Sequence, residues 1–237
     1  MKVGAKPGQF NITVENIEIA VQKKRIKNFY IRVYPPAGEV RMSVPLKCTK
    51  DDIVSFASSK LAWIKGVQAK AAAREPLPEK KYISGETHYF LGQPYLLNIL
   101  AGSGVSKVAL DKNSRHLNLY IKENSGQNEI LSALNKWYRS ELAKALAPLI
   151  AKWEKIIGVR VNDWRVRIMR TRWGTCNITK RRIWLNLSLA QKEARLLEYV
   201  VVHELTHLLS KYHDKKFYAL MDRYLPEWRA LRKELNS

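Results

Sequence analysis

VVHELTHLLSKYH, residues 201–213, holds three of the five histidines in the chain and a glutamate. A helix places residues four apart on one face, so His203 and His207 are stacked neighbours, about 5–6 Å apart at Cβ. That spacing suits two imidazoles closing on one metal ion. Glu204 points about 100° away from His203 around the same helix. It is badly aimed to be a further ligand but well placed to reach a water beside the metal, where a general base belongs. His213 supplies a third ligand once the chain turns. Three protein ligands with a fourth position open is the usual arrangement of a catalytic zinc.

The surroundings extend this reading. Leu196, Val200, His203 and His207 fall on one face of a helix that begins near Leu189, so the motif ends an amphipathic helix. Asp214 can cap a last helix, with Phe217, Leu220, Met221 and Tyr224 as its apolar stripe and Pro226 as its stop. Upstream, VNDWRVRIMRTRW and RRIWLNLS alternate and are joined by GTCNITK, which predicts an antiparallel hairpin. Before them, residues 125–158 read as a long helix, interrupted near Pro148. Residues 10–45 predict three short strands, with a turn at YPPAGEV. CTKDDIVSFASSKLAWIKGVQAKAAAR predicts one helix, capped by Thr49 or Asp51 and ended by PLPEK (76–80). Strands resume from KYISGETHYFLGQPYLLNIL through HLNLYIK. No internal repeat is visible. The pattern predicts an α+β fold in two domains. Residues 1–125 form a β-rich domain with one helix, and residues 126–237 a second domain with a short antiparallel sheet packed on helices.

Composition narrows the setting. No apolar run approaches the roughly 18–20 residues of a membrane span. The N-terminal segment lacks the apolar core and cleavage site of a signal peptide, so a cytoplasmic protein is expected. Cys48 and Cys176 are read as free thiols. The 42 Lys and Arg against 21 Asp and Glu give a formal charge of +21. Such an excess attracts polyanions, nucleic acid first, unless it is spread evenly for solubility.

H-E-x-x-H on a helix is the zincin signature. The spacing H-E-x-x-H-x5-H equals that of the metzincins, but Ser210 stands where those have glycine, and Met221 falls inside a predicted helix. MRTRWGTCN (169–177), IWLNLSLA (183–190) and LEYVVVHELTHLLSKYHDKKFYALMDRYLPEW (197–228) resemble the YgjP-like metallopeptidase family. AWI (62–64) and SGETHYFLGQPY (84–95) resemble it more loosely. The resemblance implies a zincin-like second domain, with His203, His207 and His213 as metal ligands and Glu204 as the catalytic glutamate. The family's Asn-His-Ser reads Tyr212-His213-Asp214 here. Its core is similar to SprT-like and WLM metallopeptidases, some of which act on proteins attached to DNA.

The expected activity is therefore zinc-dependent hydrolysis of peptide bonds, with one Zn2+ per chain and a peptide or protein substrate. In zincin folds an edge strand near the metal helix holds the substrate as an added strand. IWLNL, just before the helix, is the candidate. Trp184 and Asn186 on it, with Arg172, are candidate substrate-binding residues. Arg165, Arg167 and Arg181 are candidates for contacting nucleic acid. The alternative functions are a nucleic-acid-binding protein with a metal site, or a protease recruited to DNA-bound proteins.

Overall fold

The computed structural model describes residues 8–34, 37–72, 81–102 and 104–237. The prolines at 35–36 and the PLPEK stretch lie outside these. The chain divides into two compact units, Met1–Glu79 and Lys80–Ser237. The fold is mixed α and β, as expected.

The first unit carries four strands, not three: β1 (Gln9–Val14), β2 (Ile17–Lys24), β3 (Tyr30–Tyr34) and β4 (Glu39–Pro45). Their order is β1-β2-β4-β3, with β2 and β4 parallel. Alternation puts Ile19, Val21, Val40, Met42 and Val44 on one buried face. Ile53, Ala57 and Ile64 share that core. The one expected helix is two, α1 (Lys50–Ser59) and α2 (Leu61–Ala72), parted at Lys60. Thr49 caps α1 through the Asp52 N–H, and Asp52 reciprocates on the Thr49 N–H.

The second unit opens with β5 (Thr87–Phe90), β6 (Gln93–Ala101), β7 (Lys107–Asp111) and β8 (His116–Ile121), in the order β5-β6-β8-β7. The antiparallel, parallel, antiparallel pairing of the first sheet thus recurs here without a visible sequence repeat. Then α3 (Gln127–Ile157) runs unbroken through Pro148. Its buried stripe, from Ile130 and Leu134 through Leu142, Leu146 and Ile150 to Ile157, explains why. Several buried side chains at about 1.5–3 kcal/mol each outweigh the roughly 3 kcal/mol cost of one proline. Gly158, at φ 75°, ends the helix.

The boundary expected at 125/126 does not separate the compact units, which part at 79/80. Leu97, Leu117 and Leu119 of the second sheet share one core with Leu134, Leu142 and Leu146 of α3. A change from strands to helix looked like a domain change, but that helix covers that sheet.

The remaining elements build the site. They are β9 (Asp163–Arg167), β10 (Gly174–Asn177), β11 (Arg182–Asn186), a 3-10 turn (Leu187–Gln191), α4 (Ala194–Thr206), α5 (Lys215–Tyr224) and α6 (Trp228–Leu235). The three strands are ordered β10-β11-β9. The antiparallel hairpin is β10 with β11, and β9 lies parallel to β11. The expected hairpin of 161–173 with 181–188 is thereby corrected. GTCN is a strand of its own, and IWLNL is the central strand instead of an edge. Ile183 and Leu185 are fully buried below it. Trp153 and Lys152 of α3 both donate to Glu198 of α4, at 2.7 Å each, fixing one helix against the other. No helix among the described residues is long and apolar enough to cross a membrane.

Candidate active site

His203 and Glu204 sit in the last turn of α4, and His207 follows as its C-cap. The chain then turns through Ser210 so that His213 comes back against α4. Asp214 holds this return. Its carboxylate accepts the Phe217 N–H at 2.9 Å, capping α5, and the Ser210 hydroxyl at 3.1 Å. The Asp214 carboxyl lies below its usual range, chiefly through the Phe217 N–H. Both that cap and the helical placement of Met221, which is fully buried, match the sequence reading.

The outcome is a convergence of three imidazoles whose nitrogens lie within 4.8 Å of one another. Nε2 of His203 and Nε2 of His213 are 3.1 Å apart. Two imidazoles on one tetrahedral zinc, with bonds of about 2.0–2.1 Å, would show a separation of roughly 3.3 Å, so the donor set fits such an ion. Nδ1 of His207 lies 3.1 Å from the Ser210 carbonyl oxygen. A carbonyl only accepts, so Nδ1 carries the proton and Nε2 keeps its lone pair for the cluster. Phe217 is the common floor, its ring 4.7–5.0 Å from all three imidazoles.

Electrostatics favour the neutral, ligating form of each histidine. Burial takes His203 down to about 3, aided by its two histidine neighbours and Arg232. Burial also lowers His207 and His213. Glu204 is only 5% exposed, and burial raises its carboxyl to about 8, with Arg172 opposing. Its side chain lies against Gly174 of β10, where an added Cβ would meet Oε1 at 2.5 Å. A buried carboxyl beside three converging imidazoles makes this cleft the candidate for acid–base chemistry.

These groups line one cleft of about 1020 Å³. Strand β10 forms one wall, α6 contributes Trp228 and Arg232, and Lys211 and Tyr212 lie between α4 and α5. Cys176 also faces the cleft, its thiol pushed up to about 12 by burial and by the charge of Glu204. Arg172 lines the cleft as well.

Trp184 and Asn186 do not line it. Asn186 is buried and works as a tie, donating from Nδ2 to the carbonyls of Met169 at 2.9 Å and Arg172 at 2.8 Å. Its Oδ1 accepts from the Ser188 N–H. The guanidiniums of Arg167 and Arg182 lie over the Trp184 ring, 5.4 and 4.7 Å from its centre. Arg165 is ion-paired with Asp163. Arg181 donates from Nε to the Arg160 carbonyl. Of the three basic residues singled out, Arg167 thus carries the least committed charge.

Tyr199, Tyr218, Trp228 and Arg232 line the cleft unforeseen. The signal was present, since Trp228, Leu231 and Leu235 recur at helical spacing and are all buried.

A family profile described as "YgjP-like, metallopeptidase domain" matches residues 27–237. Two solved structures that the chain is similar to are metallopeptidase zymogens. Abylysin of Pyrococcus abyssi is 20% identical with a TM-score of 0.35, over 37% of this chain and 89% of that one. Jannalysin of Methanocaldococcus jannaschii is 18% identical with a TM-score of 0.33, over 37% of this chain and 90% of that one. No curated protein matches the chain.

Proposed function

The chain belongs to the YgjP-like metallopeptidase family, and from that premise we propose that it cleaves peptide bonds with a zinc ion held by His203, His207 and His213 and Glu204 as general base. The observation that carries this is the convergence of three imidazoles beside a buried carboxylate in one cleft. Nitrogen donors suit zinc better than magnesium or calcium, which prefer oxygen. A zinc ion with an open position supplies Lewis-acid polarisation and lowers the pKa of water toward about 7.

The side chains do the rest. Glu204 takes a proton from water as the water oxygen bonds to the peptide carbonyl carbon. It returns the proton to the leaving nitrogen as the C–N bond breaks. Arg172 favours the ionised carboxylate that accepts the proton. The edge strand β10 is paired on one side with β11, and its other side offers main-chain groups to an extended substrate. Cys48 and Cys176 are both free, which suits a reducing compartment such as the cytoplasm.

The test is metal content together with cleavage of an unfolded protein substrate, for the wild type and Glu204→Gln. Zinc in both and turnover in the wild type alone is expected. Equal turnover by the two defeats the reading.

A second reading, attachment to nucleic acid, is favoured by one observation. Between Val159 and Arg182 stand eight basic residues and a single acid, Asp163, so that part of the excess charge is concentrated on the β9–β11 segment. Recruitment of the peptidase to DNA-bound proteins would use it. Anisotropy of a labelled oligonucleotide should then fall steeply with salt. An absence of binding at low salt removes the reading.

A further inference from the structure

The charge on the cleft walls is unbalanced. Arg172 stands before β10, Lys211 between α4 and α5, and Arg232 on α6, and all three are exposed residues lining the cleft. None of them forms an ion pair among the described residues. The single acid in the lining is Glu204, and it is buried against Gly174.

Of the 42 Lys and Arg in the chain, seven have a carboxylate partner among the described residues, so what distinguishes these three is their place on one cleft. On α6 itself, Arg229 pairs with Asp222, and Glu234 pairs with Arg195 at 2.6 Å. Arg232, the arginine of that helix that lines the cleft, is without an acid. Elsewhere in the same unit Arg165, Lys144 and Lys152 each have a carboxylate within 3.0 Å. Three cations without a carboxylate partner, on three separate segments of the chain, therefore line the cleft.

We infer that the cleft selects peptides with acidic side chains flanking the bond to be cut, their carboxylates meeting Arg172 on the β10 wall, Arg232 on the α6 wall and Lys211 at the rim. The inference rests on the peptidase reading and names its substrate class. Arginine is suited to the task because its planar fork binds a carboxylate through two parallel N–H donors. Each exposed pair contributes up to about fivefold in affinity, so three give roughly ten- to a hundredfold at low salt. Salt should weaken the preference.

The test uses the full chain with its zinc, carrying Glu204→Gln so that peptide is bound and not cut. Anisotropy is read for three labelled peptides that differ only in Glu, Gln or Lys at the flanking positions. The expected order is Glu, then Gln, then Lys, with at least about a tenfold span at low salt. Arg232→Glu with Lys211→Glu should invert the order while zinc content and melting temperature stay unchanged. Arg232→Gln alone should narrow it, which keeps the test open if the double variant does not fold. Equal binding of the three peptides overturns the inference. So does an unchanged order in the charge variants, or an oligonucleotide whose binding, unlike that of the peptides, depends on Arg232. Because binding is read without turnover, a wild type that cleaves nothing but whose variant ranks the peptides as expected would fail the peptidase reading alone.

Discussion

Gly174 and Glu204 contend for the same space: a β carbon on Gly174 would stand 2.5 Å from Oε1 of Glu204 and 2.7 Å from its Cγ. The glycine is there for room, so that an edge strand can lie directly on the carboxylate. Gly174→Ala should push either Glu204 or β10 aside. The atoms nearest the added β carbon are all of Glu204 and none of a histidine, so zinc content should be kept while kcat falls, by about tenfold or more for a displacement near 1 Å. Overpacking should also cost about 1–3 kcal/mol of stability. Wild-type kcat in the alanine variant would show that the carboxylate does not need its present position.

Burial of Glu204 has a thermodynamic consequence in the metal-free protein. Its carboxyl is raised to about 8 from an ordinary 4.5. The folded state therefore holds a proton that the unfolded chain has released. The contribution of this group to stability is fully present below pH 4.5 and declines as pH rises toward 8. Glu204→Gln removes the decline. Chelator-treated Glu204→Gln should melt at the wild-type temperature near pH 4.5 and clearly higher at pH 8, by a margin of at most a few kcal/mol. Parallel melting curves across that range would contradict a buried, protonated Glu204.

Asp214 joins two functions in one carboxylate, capping α5 and receiving the Ser210 hydroxyl. Asp214→Ala should cost about 1 kcal/mol through the lost cap. It should also loosen the turn that brings His213 to His203, weakening zinc affinity by about tenfold or more. Asp214→Asn keeps a capping oxygen and should recover most of the stability. Competition with a chromogenic chelator measures the affinity, and a wild-type value in Asp214→Ala would separate the cap from the metal site.

The helix part of this site was legible because its signals are local. HELTH fixes three residues by helical period, and Asp214 precedes an amphipathic run that it caps. Strand neighbours are a different matter. Alternation marked residues 163–167 and 182–186 as strands but carries no record of partner or direction, and the pairing proved parallel. GTCN is too short to announce itself, yet it occupies the sheet edge that lines the cleft. Arg232 was missed because α6 lies beyond Pro226, where the reading stopped. The boundary at 79/80 was invisible because packing of α3 on a sheet formed by earlier residues is a long-range fact.

Asn186, a candidate substrate-binding residue by sequence, is placed in the structure among main-chain groups, and its chemistry makes the two roles distinguishable. It is 5% exposed, and both ends of its amide are engaged, Nδ2 by the carbonyls of Met169 and Arg172 and Oδ1 by the Ser188 N–H. It thus fastens the segment before β10 to the end of β11. Asn186→Ala leaves the carbonyls of Met169 and Arg172 and the Ser188 N–H without this partner, at about 1–3 kcal/mol for each group that water does not reach. Asn186→Asp keeps the acceptor but turns a carboxylate oxygen toward two carbonyls. It should therefore be at least as destabilising as alanine at neutral pH, and recover partly in acid, where a protonated carboxyl can donate once. A residue that merely touched substrate would behave otherwise, with urea midpoints near wild type and a change confined to KM. Urea unfolding of both variants at neutral and acidic pH decides between the roles, and midpoints matching the wild type would return Asn186 to the substrate.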